Sequence, residues 1–239
     1  MNNHSARPKS KSTGRRAPAK GSAGKPAAAG KSNGGAKARK DAPAEPGKRE
    51  RILDAAIKVF AAEGFYNAKV SQIAQAAGVA DGTIYLYFKS KDDLLINLFE
   101  DRMERVNANL RQAIDTESSA IARLRRIVRL HLELVEQNRD MAEVISVELR
   151  QSSKFIREYS NPKFAEFLRT IAGTVVEGQR TGELGTHIDP YVFARALFGA
   201  LDEIALAWLV KHPGSKASIE LPRAAEQLGD LFIDGLRAR

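Results

Sequence analysis

From about residue 48 onward the apolar residues fall on helical spacing, and no segment alternates convincingly as a strand would. Ile52, Ala56, Val59 and Phe60 recur at i, i+4, i+7 and i+8, which predicts a first helix that Gly64 closes. The segment SQIAQAAG, 71–78, places Ile73, Ala74 and Ala77 on one face and again ends at glycine, so the second helix is short. Gly82 to Phe88 makes about two turns, with Ile84 and Phe88 four apart and pointing inward. Ser90 with Asp93 three residues later reads as a capping box, opening a long helix to roughly Ala113. Further helices are expected at about 118–138, 140–152, 162–181, 190–211 and 218–237, with Pro162, Gly182, Pro190, Pro213 and Pro222 at or near the breaks. The pattern therefore predicts an all-α fold.

Before residue 48 the pattern is absent. Stretches such as RRAPAKGSAGKPAAAGKSNGG hold no aromatic residue and no Ile, Leu or Val, so residues 1–45 are expected to form a disordered basic tail. Of 38 Lys and Arg, eleven lie in residues 1–47, against only Asp41 and Glu45 among 29 acids; the formal charge of +9 is thus carried by the tail. Such an arm either binds phosphates nonspecifically or merely keeps the chain soluble.

The 239 residues include no cysteine, which excludes disulfides and thiolate metal sites. The four histidines, at 4, 131, 187 and 212, are too far apart for a local metal spacing, and neither a metal nor a cofactor is expected. No run approaches a membrane span, because Arg195, Asp202 and Glu203 break the apolar region 191–210. Arg15-Arg16 lacks the apolar region that would make it an export signal, so a cytoplasmic, nucleoid-associated protein is expected. No nucleophile-base set or cofactor loop stands out, and an enzyme is not expected. Asp202 and Glu203 are adjacent on a helix and point about 100° apart, too far to share a catalytic site; a hydrogen-bonding role, or a charge pairing with Arg195 on a neighbouring face or chain, is simpler.

Two short helices joined through Gly78, with Ala74 and Ala77 where they cross, form a helix-turn-helix at about 69–88. With the helix before it, the turn EGFYNAKVS and the lysine-containing helix start after it, the motif becomes specific. The matching residues are Ile52-Leu53-Ala55-Ala56, Phe60, Gly64-Phe65, Ile73-Ala74, Ala77-Gly78-Val79, Gly82-Thr83-Ile84-Tyr85, Tyr87-Phe88, Lys91 and Leu94-Leu95. Over 49–100 the chain resembles the DNA-binding domain of TetR-family regulators. The resemblance implies a DNA-binding domain at 46–106 whose third helix enters the major groove of a double-stranded operator. It also implies contacts, mostly to phosphates, from Ser71, Gln72, Thr83, Tyr85, Tyr87, Lys89 and Lys91. Two positions depart from the family: Lys69 stands where Ser or Thr often caps the second helix, and Asp81 where a basic or small residue is common. Asp81 is expected to cap the third helix, the alternative being acceptance from a cytosine amino group.

The same resemblance makes 107–239 an effector-binding and dimerisation domain. The segment YVFARALFGALDEIALAWLV is apolar nearly all round, which fits burial against its own core and a second copy, together with Leu228, Leu231, Phe232 and Leu236. Gly173 and Gly178, interior to a helix, admit either close packing or room for a ligand. GVADGTIYLYF, ELRQS at 148–152 and GALDEIALAW at 199–208 are similar to TetR-type repressors of fatty-acid degradation that leave DNA on binding long-chain acyl-CoA. That similarity would set an acyl chain among Val144, Phe167, Ile171, Val175, Phe198 and Trp208, with Arg150, Lys154 and Arg157 near the CoA phosphates. His131 is expected as a core or edge histidine rather than a ligand. A homodimeric repressor released by a hydrophobic effector is the reading; a regulator sensing another hydrophobic molecule, and a nucleoid-type DNA binder acting through its tail, are the alternatives.

Overall fold

The chain is represented by a computed structural model that describes residues 47–210 and 219–236, with the side chains of Gln151, Ser153 and Ile156 left aside. The expected tail, and the expected helix ends around Pro213 and residue 237, lie outside these residues. Among the described residues ten α-helices follow one another: α1 Lys48–Glu63, α2 Val70–Ala77, α3 Asp81–Tyr87, α4 Lys91–Asp115, α5 Ala120–Gln137, α6 Arg139–Ser146, α7 Ser153–Glu158, α8 Pro162–Thr181, α9 Pro190–Leu209 and α10 Leu221–Asp234. A 3₁₀ turn, Glu148–Gln151, joins α6 to α7, and no strand occurs among the described residues.

The first three helices are held by one apolar cluster, in which Ile52, Leu53, Ala56 and Phe60 of α1 meet Ile73 and Ala74 of α2, Ile84 of α3 and Phe88. Gly78 stops α2 in the left-handed conformation that glycine adopts without a Cβ penalty, at φ 65°. The N–H of Val79 then reaches back to the Ala74 carbonyl at 3.0 Å, a Schellman closure that sets the angle between α2 and α3. Ser90 caps α4 by accepting from the Asp93 N–H at 3.1 Å, and the Asp93 carboxylate accepts from the Lys89 N–H at 2.8 Å.

Helix α4 carries the chain from this bundle into the second layer, and it is pinned to α1 by the ion pairs Arg102 with Asp54 and Arg105 with Glu50. Helices α5 and α8 pack on it, and α9 and α10 complete the bundle against α8 and α5. Asn161 and Asp189 cap α8 and α9, each just ahead of a proline in the first turn. Of the two glycines within α8, Gly178 is the one that packing demands, since a Cβ there would meet Leu184 Cδ1 at 2.5 Å and Ala120 Cβ at 2.7 Å. Gly173 faces open space. The one helix expected over 140–152 is broken at Ser146, and α7 comes as an addition to the sequence pattern.

Candidate functional site

The face formed by α2, α3 and the start of α4 presents Ser71, Tyr85, Tyr87 and Lys89 to solvent, with Gln72 and Thr83 half-buried beside them. Between the helix starts lies an open concavity whose wall includes Lys69, Ser71, Asp81, Tyr85 and Lys89. Leu86, between Tyr85 and Tyr87, is 82% exposed on the same short helix. Ile84 and Phe88 are buried, so α3 uses one stripe for the core and offers the rest outward.

Two details, at Lys91 and Asp81, differ from the sequence expectation. The Lys91 ammonium, expected at a DNA phosphate, instead donates to the carbonyls of Phe65, Tyr66 and Ala68 at 2.5, 3.0 and 3.0 Å. It also lies 4.7 Å from the centre of the Phe65 ring, so all three of its protons serve the turn between α1 and α2. Asp81 is the first residue of α3 and makes no cap bond; Ala80 holds the cap position, and the Asp81 carboxylate favours the helix only through its dipole. Lys69 precedes α2 without a capping side chain, and Gln72 compensates by accepting from the Lys69 N–H at 2.8 Å.

A second site lies in the helical bundle. A cavity of about 110 Å³ is lined by Phe99, Met103 and Val106 of α4, His131, Leu134 and Val135 of α5, Met141, Ala142, Ile145 and Ser146 of α6, Phe164 and Phe167 of α8, and Phe198 and Asp202 of α9. Phe198 stands edge-on to Phe164 at 4.5 Å and to Phe167 at 6.1 Å. Of the sequence candidates, Phe167 and Phe198 are on this wall. Val144, Ile171 and Val175 are instead fully packed into the core: Val144 sits between the lining residues Ala142 and Ile145 but on another face of α6, and Ile171 and Val175 lie one and two turns beyond Phe167 on α8. Trp208 is turned aside, with the Arg139 guanidinium 4.8 Å from its ring.

The wall has few polar atoms. His131, expected as a core or edge residue, faces the cavity between Phe167 and Phe198, at 6.2 Å from each, and burial pushes its pKa down to about 4. Asp202 does not pair with Arg195, which is bound to the Tyr191 hydroxyl; its partner is Arg150 of the 3₁₀ turn. Removal from water raises the Asp202 pKa, and the Arg150 charge opposes that rise. Lys154 and Arg157 are exposed on α7.

Pattern reading missed the group that connects the two sites. The Glu148 carboxylate, buried, accepts from the Phe65 N–H at 2.5 Å, across 83 residues of sequence. Ser152 donates to Asp92 at 2.7 Å, and the Tyr159 hydroxyl to Glu100 at 2.5 Å. The segment that walls the cavity with Met141 and Ile145 thus continues, within a few residues, into contacts with the α1–α2 turn and the start of α4. No local pattern pairs Glu148 with Phe65, because its partner is not a sequence neighbour.

Among the described residues no helix is long and apolar enough to cross a membrane, and no cluster of side chains suits a metal ion. Residues 52–98 match the model of bacterial regulatory proteins of the tetR family, and residues 99–235 match that of the YsiA-like protein C-terminal region. The fatty acid metabolism regulator protein of Bacillus subtilis is 36% identical over 189 residues, covering 79% of this chain and 95% of that protein. Two solved structures superpose with a TM-score of 0.71 at 32% identity, each covering 78% of this chain and 98% of the other. They are the fatty acid degradation regulator FadR from Bacillus halodurans and FadR from Bacillus subtilis in complex with stearoyl-CoA. With both parts of the fold matched end to end, the chain belongs to the TetR family of bacterial transcriptional regulators.

Proposed function

We propose that the protein is a homodimeric repressor that binds a double-stranded DNA operator through α2 and α3 and leaves it when long-chain acyl-CoA enters the bundle cavity. The observation that carries this reading is the continuity of one segment: α6 forms a wall of the cavity, and two residues beyond it Glu148 holds the Phe65 N–H of the DNA-binding helices. The likeness to a regulator solved with stearoyl-CoA gives the effector its chemical class. The apolar, aromatic wall suits an alkyl chain; of the three expected cations Arg150 is held by Asp202, which leaves Lys154 and Arg157, exposed on α7, to meet CoA phosphates.

Size supplies the mechanism. A ligand pocket usually encloses roughly 300–1,000 Å³, so a long acyl chain cannot enter a space of about 110 Å³ without moving its walls. Displacing α6 carries the 3₁₀ turn with it, strains the Glu148 bond and favours a conformer whose recognition helices no longer match two half-sites. Residues 46–106 serve as the DNA-binding part, with 69–88 as its helix-turn-helix, and residues 107–239 serve effector and partner. Helix α4 belongs to both, since Phe99, Met103 and Val106 line the cavity.

The partner surface is the exposed apolar face of α9 and α10, where Val192 and Leu231 are 61% and 71% exposed beside Phe193 and Phe232. Ser71, Gln72, Thr83, Tyr85, Tyr87 and Lys89 contact the DNA backbone, while Lys91 braces the turn beneath them. Such a regulator acts in the cytoplasm on the nucleoid and has no catalytic step. Operator affinity titrated with acyl-CoAs of increasing chain length tests the effector. Release by long chains and none by free CoA is expected, and no release at any length removes acyl-CoA while leaving a TetR-type regulator.

A further inference from the structure

We infer that Asp202 is the residue by which the cavity discriminates the head of its ligand, accepting an uncharged head and refusing a carboxylate. The inference rests on the proposal that an alkyl chain occupies the cavity. Apart from His131 and Ser146 the wall is otherwise apolar, and Asp202 is its one acid. The Asp202 side chain is 19% exposed and its partner Arg150 is 48% exposed, so the pair stands where the cavity reaches solvent. An alkyl chain lying against Phe164, Phe167 and Phe198 therefore brings its head to this pair.

The two heads meet different electrostatics there. A thioester presents a neutral carbonyl and sulfur, and its charges are several bonds further out, on a nucleotide that remains in water. A free fatty acid presents a carboxylate beside a carboxylate, with one guanidinium between them. If the ligand takes Arg150, Asp202 is left as an uncompensated anion against an apolar wall; if Asp202 keeps Arg150, the ligand is left so. Discrimination by an unpaired charge is strong because neither outcome can be relieved by a small shift of the chain. The same geometry accepts other uncharged heads, such as a primary alcohol.

The test compares tetradecanoyl-CoA, 1-tetradecanol and tetradecanoate by calorimetry, each below its critical micelle concentration, on the full chain and on Asp202→Asn. Asp202→Asn should gain tetradecanoate affinity by about tenfold or more, with tetradecanol affinity kept within about threefold. Asp202→Ser serves as a second variant in which no new amide is introduced. Tetradecanoate affinity within about threefold of wild type in both variants overturns the inference, as does a wild-type protein that binds tetradecanoate as tightly as tetradecanol. The tetradecanoyl-CoA arm reports separately. If it fails to bind while Asp202→Asn still gains tetradecanoate, the filter stands and the acyl-CoA effector falls. If the thioester binds without that gain, the filter falls and the acyl-CoA effector stands.

Discussion

Replacing Glu148 with Gln weakens the bond between the effector segment and the DNA-binding helices while leaving its shape in place. The native carboxylate accepts from the Phe65 N–H at 2.5 Å in a buried setting. A hydrogen bond to a charged group is worth roughly 1.5–3 kcal/mol net and a neutral one about half that, so the substitution removes about 1 kcal/mol from the conformer that contains the bond. In the population-shift scheme the effector binds the other conformer, and its apparent affinity is the intrinsic affinity scaled down by the fraction of protein already in that form. Removing about 1 kcal/mol from the DNA-competent side therefore raises apparent effector affinity by about fivefold. Calorimetry with palmitoyl-CoA and fluorescence anisotropy of a labelled operator read the two sides of the equilibrium. The expected result is half-release at about one fifth of the wild-type effector concentration, with operator affinity in the absence of effector unchanged or modestly lower. Half-release at the wild-type concentration, or above it, would refute the role given to this bond.

Lys91→Met removes three ammonium bonds from the α1–α2 turn and should cost about 2 kcal/mol in urea unfolding, while the salt dependence of operator binding stays as in wild type. A slope of log affinity against log salt reduced by about one would instead restore Lys91 as a phosphate ligand. Gly178→Ala should destabilise by about 1–3 kcal/mol through overpacking on Leu184 and Ala120, whereas Gly173→Ala, facing open space, should stabilise by up to about 1 kcal/mol; thermal melting of the pair measures both. His131 is held neutral in the fold at a pKa of about 4 against 6.5 in the unfolded chain, so its contribution is complete above pH 6.5 and is lost as pH falls toward 4. Denaturation between pH 7 and 4.5 should therefore show wild type losing up to about 3 kcal/mol more than His131→Gln, and parallel curves would contradict the buried neutral imidazole.

The DNA-binding helices were legible because their signals are local. Gly78 ends one helix, Ile84 and Phe88 give the next its inward stripe, and Ser90 with Asp93 starts a third. The break in 140–152 was illegible because its causes are tertiary. Ser146 ends α6 where the chain turns to bury the Glu148 carboxylate on Phe65, and Ser152 restarts a helix by accepting from the Phe155 N–H at 3.2 Å. Periodicity likewise identifies the inward face of α8 but not where that face is left unfilled. Phe167 borders space and Ile171, one turn on, does not, a difference set by the helices opposite. The place of Lys91 at a helix start points to phosphate, yet the three carbonyls that bind it come from a turn more than twenty residues earlier.

The central claim is that an acyl chain in the bundle cavity drives release from DNA, and Phe198→Trp tests it directly. The larger ring at the meeting point of Phe164 and Phe167 fills the space the chain requires, at a distance from the helix-turn-helix face. Operator affinity is measured by anisotropy across a titration of palmitoyl-CoA for both proteins. The expected outcome is wild-type operator affinity without effector and an effector response weakened by about tenfold or more in the variant. Release of Phe198→Trp at the same palmitoyl-CoA concentration as wild type would contradict the claim.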